Sequence, residues 1–336
     1  MPPPLKPFIG IDLGGTNMQV GLVSPDFRLL AHAKRKTKAD EGTTAIIDRM
    51  VEAVDEACAQ AKIPLNDIGG IGIGAPGAVD PRKGVVLVAV NLRWNDLPLA
   101  DILSKRLKTP VFLDNDVNVA VYGENKLGAG RNCDNLLGVW VGTGIGGGLI
   151  LNGKLYYGHF LTAGEIGHTI LHAHHPRGSR SLEHNCSRSA VVDRLVRLIR
   201  ANNKTLLTEE LREKSGGEEL DFGKVKSKML ARYYRGGETE DDLVIEVLDR
   251  AAEDLAVMIA NFVTVLSLPR VVLGGGLIEA VDKPFVDRIE RNVRQLAFPE
   301  VCKSVQVVPS KLKDAAGILG AAMIAMERSV PAEPKP

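Results

Sequence analysis

Apolar runs separated by glycine turns set the pattern of the chain. Residues 8–11 are apolar, Gly14-Gly15-Thr16 breaks the run, and 18–23 resumes it, which reads as strand, tight turn and strand. Ile46, Ile47, Met50, Val51 and Val54 fall on one stripe and predict an amphipathic helix over 42–62. Residues 68–73 read as a buried strand ending in the loop Gly74-Ala75-Pro76-Gly77. Further strands are predicted at 85–90 and 111–113, with a helix at 99–107 between them. The opening pattern then returns: a strand at 136–141, a glycine-rich turn over 142–148 and a strand at 149–151. Two glycine-turn hairpins about 130 residues apart predict a duplicated fold, not an array of short repeats.

The rest of the chain is mainly helical, with helices expected at 189–202, 243–268 and 315–326 and a strand at 270–273. Residues 204–240 are rich in charge and glycine and are expected to be partly exposed. The proline-rich ends, 1–7 and 329–336, are expected to fray. Hairpins, buried strands and intervening helices together predict α/β layers. Two halves of this kind would leave a cleft, the usual place for a ligand.

Composition narrows the classes. Forty-two Lys and Arg against forty-one Asp and Glu leave a net charge of +1, with no bulk electrostatic reason to expect nucleic acid or an acidic membrane as partner. A 45% hydrophobic share fills a core. The four cysteines, Cys58, Cys133, Cys186 and Cys302, form no CxxC pair and fit a reducing cytoplasm. No secretory signal opens the sequence. Its longest mostly apolar stretch, 256–268, falls short of the ~20 residues that span a bilayer, and is read as a buried helix.

The glycine clusters carry the chemistry. In Asp12-Leu13-Gly14-Gly15-Thr16-Asn17, glycines would let backbone N–H groups approach an anion without a Cβ in the way. A plain structural turn is the competing reading, since tight hairpins also favour Gly-Gly. Asp12 argues against it, because a carboxylate beside a phosphate cradle repels the anion unless a cation such as Mg²⁺ lies between them. The second turn, with Thr143 and Gly144, suits further phosphate contacts. The third cluster, Gly274-Gly275-Gly276, lacks a dinucleotide spacing; it leaves room for a flat base or simply turns strand into helix.

These three clusters in this order resemble the two phosphate motifs and the adenosine motif of the actin-like sugar kinases, and their surroundings resemble the ROK branch (repressors, open reading frames and kinases). The similarity runs from about residue 8 to 326. It implies a two-domain actin-like (ribonuclease H-like) ATPase fold with an inter-domain cleft. The expected division is a small α/β domain over 1–122 plus 312–330, a large one over 123–311, and a tail at 331–336. It implies ATP and Mg²⁺, with Asp12, Gly14, Gly15, Thr16, Asn17, Thr143, Gly144, Gly274, Gly275 and Gly276 at the nucleotide and Asp12 near the metal, directly or indirectly. A homodimer is the family expectation.

Asp114-Asn115-Asp116-Val117-Asn118 follows a strand and opens the helical segment toward Leu127. Asp and Asn are ordinary N-caps, but four such residues in five positions exceed what a cap requires. Phosphoryl transfer to a sugar hydroxyl needs a carboxylate to orient the hydroxyl and take its proton. The resemblance assigns that base to Asp116, with Asn115 binding sugar; on composition alone Asp114 competes. It also makes sugar ligands of Glu165 and His168 in Gly164-Glu165-Ile166-Gly167-His168, and of Glu183. Asn91 and Gly77 carry over more weakly, a loop residue being the rival reading for Asn91, and Trp94 reads as packing.

One family feature is missing. ROK proteins commonly carry a CxCGxxGCxE segment after GEIGH, whose cysteines bind a structural zinc. Alignment on Leu182-Glu183 puts His174, Pro176 and Ser181 at those places, so zinc of the family kind is not expected. His172, His174, His175, His184 and Cys186 match no standard metal spacing, and a solvated His-rich loop is the preferred reading. The reading is therefore an ATP-dependent hexose kinase, foremost a glucokinase phosphorylating the 6-hydroxyl. Fructose, mannose, N-acetylglucosamine or N-acetylmannosamine are alternative acceptors, polyphosphate an alternative donor, and a non-catalytic sugar sensor the rival of another class. A DNA-binding repressor is disfavoured, because only seven residues precede Phe8.

Overall fold

In the computed structural model of this chain, which describes residues 6–215 and 220–329, the apolar runs become strands of two five-stranded sheets and one three-stranded sheet. The chain divides into two compact units. One comprises everything up to Arg131, the segment Leu155–Ala163 and the chain from Asp314 onward; the other comprises Asn132–Lys154 and Gly164–Lys313.

In the first unit the order is β1 (Phe8–Leu13), β2 (Asn17–Val23), β3 (Leu29–Lys36), α1 (Thr43–Ala61) and β4 (Ile71–Ala75). A small antiparallel sheet follows, of β5 (Ala78–Asp80), β6 (Val85–Ala89) and β7 (Trp94–Leu97), then α2 (Leu99–Leu107), β8 (Val111–Asn115) and α3 (Asp116–Leu127). The main sheet runs β3-β2-β1-β4-β8, with β1 antiparallel to β2 and parallel to β4, and β4 parallel to β8. The helical stripe is buried as its spacing predicts, through Ile46, Ile47, Met50 and Val54, while Val51 is only half-buried at its edge.

The second unit begins with β9 (Leu136–Val141), β10 (Ile145–Leu151) and β11 (Lys154–Leu155). Helices α4 (Glu183–Cys186), α5 (Arg188–Arg200), α6 (Leu207–Ser215), α7 (Ser227–Tyr233) and α8 (Asp242–Leu266) follow, then β12 (Arg270–Gly274), α9 (Gly276–Val281), α10 (Lys283–Leu296) and β13 (Gln306–Pro309). Its sheet, β11-β10-β9-β12-β13, repeats the pairing of the first: β9 is antiparallel to β10 and parallel to β12, and β12 is parallel to β13. The duplication read from the two hairpins is thus present in the topology. Helix α11 (Ala316–Ser329) then returns the chain to the first unit.

Two expectations need correction. The second glycine turn is short: β10 starts at Ile145, and Gly146, Gly147 and Gly148 pair with Trp140, Val139 and Gly138. Gly147 is there for close packing, since a Cβ would lie 2.5 Å from the Gly164 carbonyl oxygen. Residues 204–240 are partly exposed as expected, while α6 and α7 bury Leu207, Leu211, Met229, Leu230 and Tyr233. At the amino end, Lys6 and Pro7 are tied down by Lys6 Nζ donating to Asn66 O and by Gly69 N–H donating to Pro7 O. Fraying of the outermost ends concerns 1–5 and 330–336, which lie outside the described residues.

Candidate functional site

In the first unit the β1–β2 turn is closed by Gly14 N–H donating to Asn17 O at 2.9 Å. It is braced from β3's end by Thr37, whose Oγ1 donates to Gly14 O at 2.6 Å and whose N–H donates to Thr16 O at 2.8 Å. Asn91 lies beside it, its Cβ 3.4 Å from where a Gly15 Cβ would sit. At the end of β1 the half-buried Asp12 packs its carboxyl against α11; a Cβ on Gly317 would come within 2.7 Å of its Cγ. Burial first, then the like charges of Asp116 and Asp314, push its pKa up from 3.8 to about 7, with Lys34 opposing.

The β8–α3 junction separates the two aspartates that compete on composition. Asp114 is fully buried. Its Oδ2 accepts from Arg328 Nη2 at 2.5 Å and Tyr157 OH at 2.7 Å, and its Oδ1 from Asn115 N at 2.9 Å and Asn118 Nδ2 at 3.2 Å. Arg328 also donates to Leu113 O at 2.9 Å and to Tyr157 OH at 2.8 Å. Asn115 is the N-cap of α3: Oδ1 accepts from Val117 N and Asn118 N, and Nδ2 donates to Gly77 O at 3.0 Å. Gly77 needs to be glycine, having φ +87° with the Val88 carbonyl where a Cβ would stand. Asp116 is the first residue of α3 and only half-buried, with Oδ1 accepting from Val117 N at 2.9 Å. Trp94 is buried in the core of this unit, the packing role read for it.

In the second unit the turn between β9 and β10 is closed by Gly142 N–H donating to Gly144 O at 2.9 Å. Glu183, the first residue of α4, accepts from Ile145 N at 2.7 Å and fills the space over Gly144. Thr143 Oγ1 accepts from Arg188 Nη2 at 3.0 Å, and Arg188 N–H donates to Gly142 O at 2.9 Å. A cavity of about 610 Å³ beside this turn is lined by Thr143, Glu183, His184, Asp193, Arg197 and Arg200 among others. Glu165 and His168 flank one 3₁₀ turn whose inner residues, Ile166 and Gly167, are buried. Both side chains are exposed and make no hydrogen bond among the described residues.

The third glycine cluster ends β12 and starts α9. The Trp140 indole abuts Gly274, Gly275 makes the strand-to-helix turn at φ +90°, and Gly276 faces open space. In the histidine loop the His172 and His175 rings stand 4.3 Å apart, His172 Nε2 lies 3.6 Å from Asp254 Oδ2 of α8, and His184 Nδ1 lies 2.7 Å from Ser181 Oγ. Burial pushes the Cys186 thiol well above its ordinary range.

The sequence reading did not find Tyr157, Asp314, Arg328 or Arg188. Their partners are 43 or more positions away in each contact that gives them a role, so no local spacing marks them. A cation closing the apolar helix before the tail was the one visible sign of Arg328.

Two hairpin-led sheets of the same topology, each with a glycine turn at its first hairpin, define the actin-like ATPase fold. The chain belongs to the ROK family, whose model matches residues 8–328. Glucokinase from Thermotoga maritima is 34% identical over 331 residues, covering 97% of this chain and 99% of the relative. Glucokinase from Halalkalibacterium halodurans is 30% identical over 315 residues, 93% of each. A ROK family glucokinase from Streptomyces griseus, solved in complex with glucose and AMPPNP, superposes with a TM-score of 0.82 at 28% identity, covering 96% of this chain and 99% of that one. Among the described residues, no helix is long and apolar enough to cross a membrane.

Proposed function

We propose that this protein is an ATP-dependent hexose kinase that transfers the γ-phosphate to the 6-hydroxyl of glucose, acting in the cytoplasm as a homodimer. The observation that carries the mechanism is the division of labour at the β8–α3 junction. Asp114 is enclosed by Arg328, Tyr157, Asn115 and Asn118, whereas Asp116, two residues on, stays half-exposed at the head of a helix. Asp116 is therefore the group able to take the hydroxyl proton as the new O–P bond forms and the bond from γ-phosphorus to the bridging oxygen breaks.

The other residues take the roles their chemistry allows. Glu165 and His168 offer a carboxylate and an imidazole, unbonded and exposed on one turn, for adjacent sugar hydroxyls. Asn115 serves by capping α3 and so fixing where Asp116 points; Glu183 steadies the Gly142–Gly144 turn. The two glycine turns offer backbone to phosphate oxygens. Asp12, crowded by Asp116 and Asp314, sits where negative charge is in excess, which fits a divalent cation. Asp12 would hold Mg²⁺ there, and when bound the ion screens the phosphate oxygens and polarises the transferring group.

The test is a coupled ADP-release assay on metal-stripped protein with Mg²⁺–ATP and a panel of hexoses, with polyphosphate as a separate donor read by sugar phosphate, and the mass checked by light scattering. Turnover foremost with glucose and ATP, from a dimer, is expected. Asp116→Asn should lower kcat by at least ~10²-fold while calorimetry still shows glucose binding. Silence of folded wild-type protein with every sugar and both donors would overturn the kinase reading in favour of a sugar sensor.

A further inference from the structure

We infer that Arg188 is a donor-phosphate ligand, gripping the polyphosphate chain of the nucleotide at the Gly142–Gly144 turn. The inference rests on the kinase reading above and adds to it a residue that neither glycine motif contains. Arg188 is fixed to the turn twice, by its N–H on Gly142 O and by Nη2 on Thr143 Oγ1 at 3.0 Å. Its guanidinium has five N–H donors in a planar fork that matches phosphate geometry, and the bond to Thr143 occupies one of them. It is half-buried and forms no ion pair among the described residues.

The charge around it points the same way. Glu183 places a carboxylate on this turn through its bond to Ile145 N, so an anionic donor arriving here meets repulsion that the glycines alone do not offset. Helix α5, which Arg188 begins, carries Arg188, Arg194, Arg197 and Arg200 against Asp193 as its one acid. Arg197 and Arg200 line the cavity beside Thr143, and burial with repulsion from Arg250 and Arg197 lowers the pKa of Arg194 against the opposing carboxylates of Asp254 and Glu246. A basic helix whose first side chain is held on a phosphate-type turn is suited to a polyanion.

The experiment pairs steady-state kinetics with calorimetry of ATP, ADP and AMP in the absence of sugar, on the full chain. Arg188→Ala should raise KM for ATP about tenfold or more and weaken ATP and ADP binding alike, with AMP affected least. Calorimetric glucose affinity should stay within about twofold. Arg188→Lys should recover part of the loss, whereas Arg188→Gln, which can still donate to Thr143, should not. That ordering separates charge from a merely structural pin, and it stands even if Arg188→Ala fails to fold. Unchanged ATP and ADP affinity in Arg188→Gln would overturn the assignment. If wild-type protein phosphorylates no sugar, the kinase reading fails while the nucleotide titrations still decide Arg188; wild-type protein that binds no nucleotide overturns both.

Discussion

Asp12, half-buried, and Asp114, fully buried, are carboxylates of the first unit that their surroundings treat oppositely. Asp114 meets donors on both oxygens; Asp12 meets mainly apolar burial and two further acids, which lift its pKa to about 7. The sign of the consequence follows from linkage. Between the ordinary 3.8 and about 7 the folded protein holds a proton that the unfolded chain has released, so stability falls as pH rises through that window. In magnesium-free buffer, urea unfolding should therefore show wild-type protein losing stability from about pH 4 to pH 7 relative to Asp12→Asn, which lacks the titrating group. Parallel pH profiles for the two proteins would show that Asp12 ionises normally. The same pressure is what a cation relieves, so added Mg²⁺–ATP should stabilise wild-type protein most at the upper end of the window.

Helix α11 shows how an element can be chosen for thinness. Its small residues bring its backbone onto β1, β4 and α3: a Cβ on Gly10 would overlap the Ile318 carbonyl, one on Gly72 the Ala321 carbonyl, and one on Gly320 the Val119 carbonyl. Glycine normally costs a helix about 1 kcal/mol relative to alanine, so Gly320 survives there because α3 crosses too close for a methyl. Gly320→Ala should accordingly destabilise by about 3 kcal/mol in urea unfolding, the upper range for overpacking, whereas Gly276→Ala, which faces open space, should be nearly neutral. Elements of this kind also explain what was legible beforehand. Strands flanked by glycine turns stood out because apolar runs and breakers coincide, as at β1–β2 and β9–β10. Strand β3 did not, because the side chains it buries are only Ala31 and Ala33. Helix α10 carries a readable stripe, Phe285, Val286, Ile289 and Val293, and was simply not identified, while α6 and α7 are masked by their charge. Among the candidate site residues, Asp12 stands out in its local motif, whereas only the resemblance separates Asp116 from Asp114; the true extent of the second turn was not legible, since Gly146–Gly148 look like turn until pairing puts them in a strand.

At the scale of the whole molecule, three sequence-distant segments meet at one buried charge. Asp114 comes from β8, Tyr157 from the excursion Leu155–Ala163, and Arg328 from the last turn of α11. Arg328→Met leaves the Asp114 carboxylate buried without its cation, which costs about 3–5 kcal/mol when such a pair is broken, and should lower the urea midpoint accordingly. The double variant Asp114→Asn/Arg328→Met should recover part of that loss, because the charge is removed with its partner; additive losses would mean the two residues act independently. The same three-part construction has a consequence during synthesis. Strands β1 and β4 leave the ribosome well before α11, the helix that covers them. Roughly 240 residues intervene between β4 and α11, a delay on the order of 10–50 s at the usual pace of translation. The first unit is therefore still open while the second is being made, and during that interval its uncovered apolar face is what a nascent-chain chaperone would have to shield.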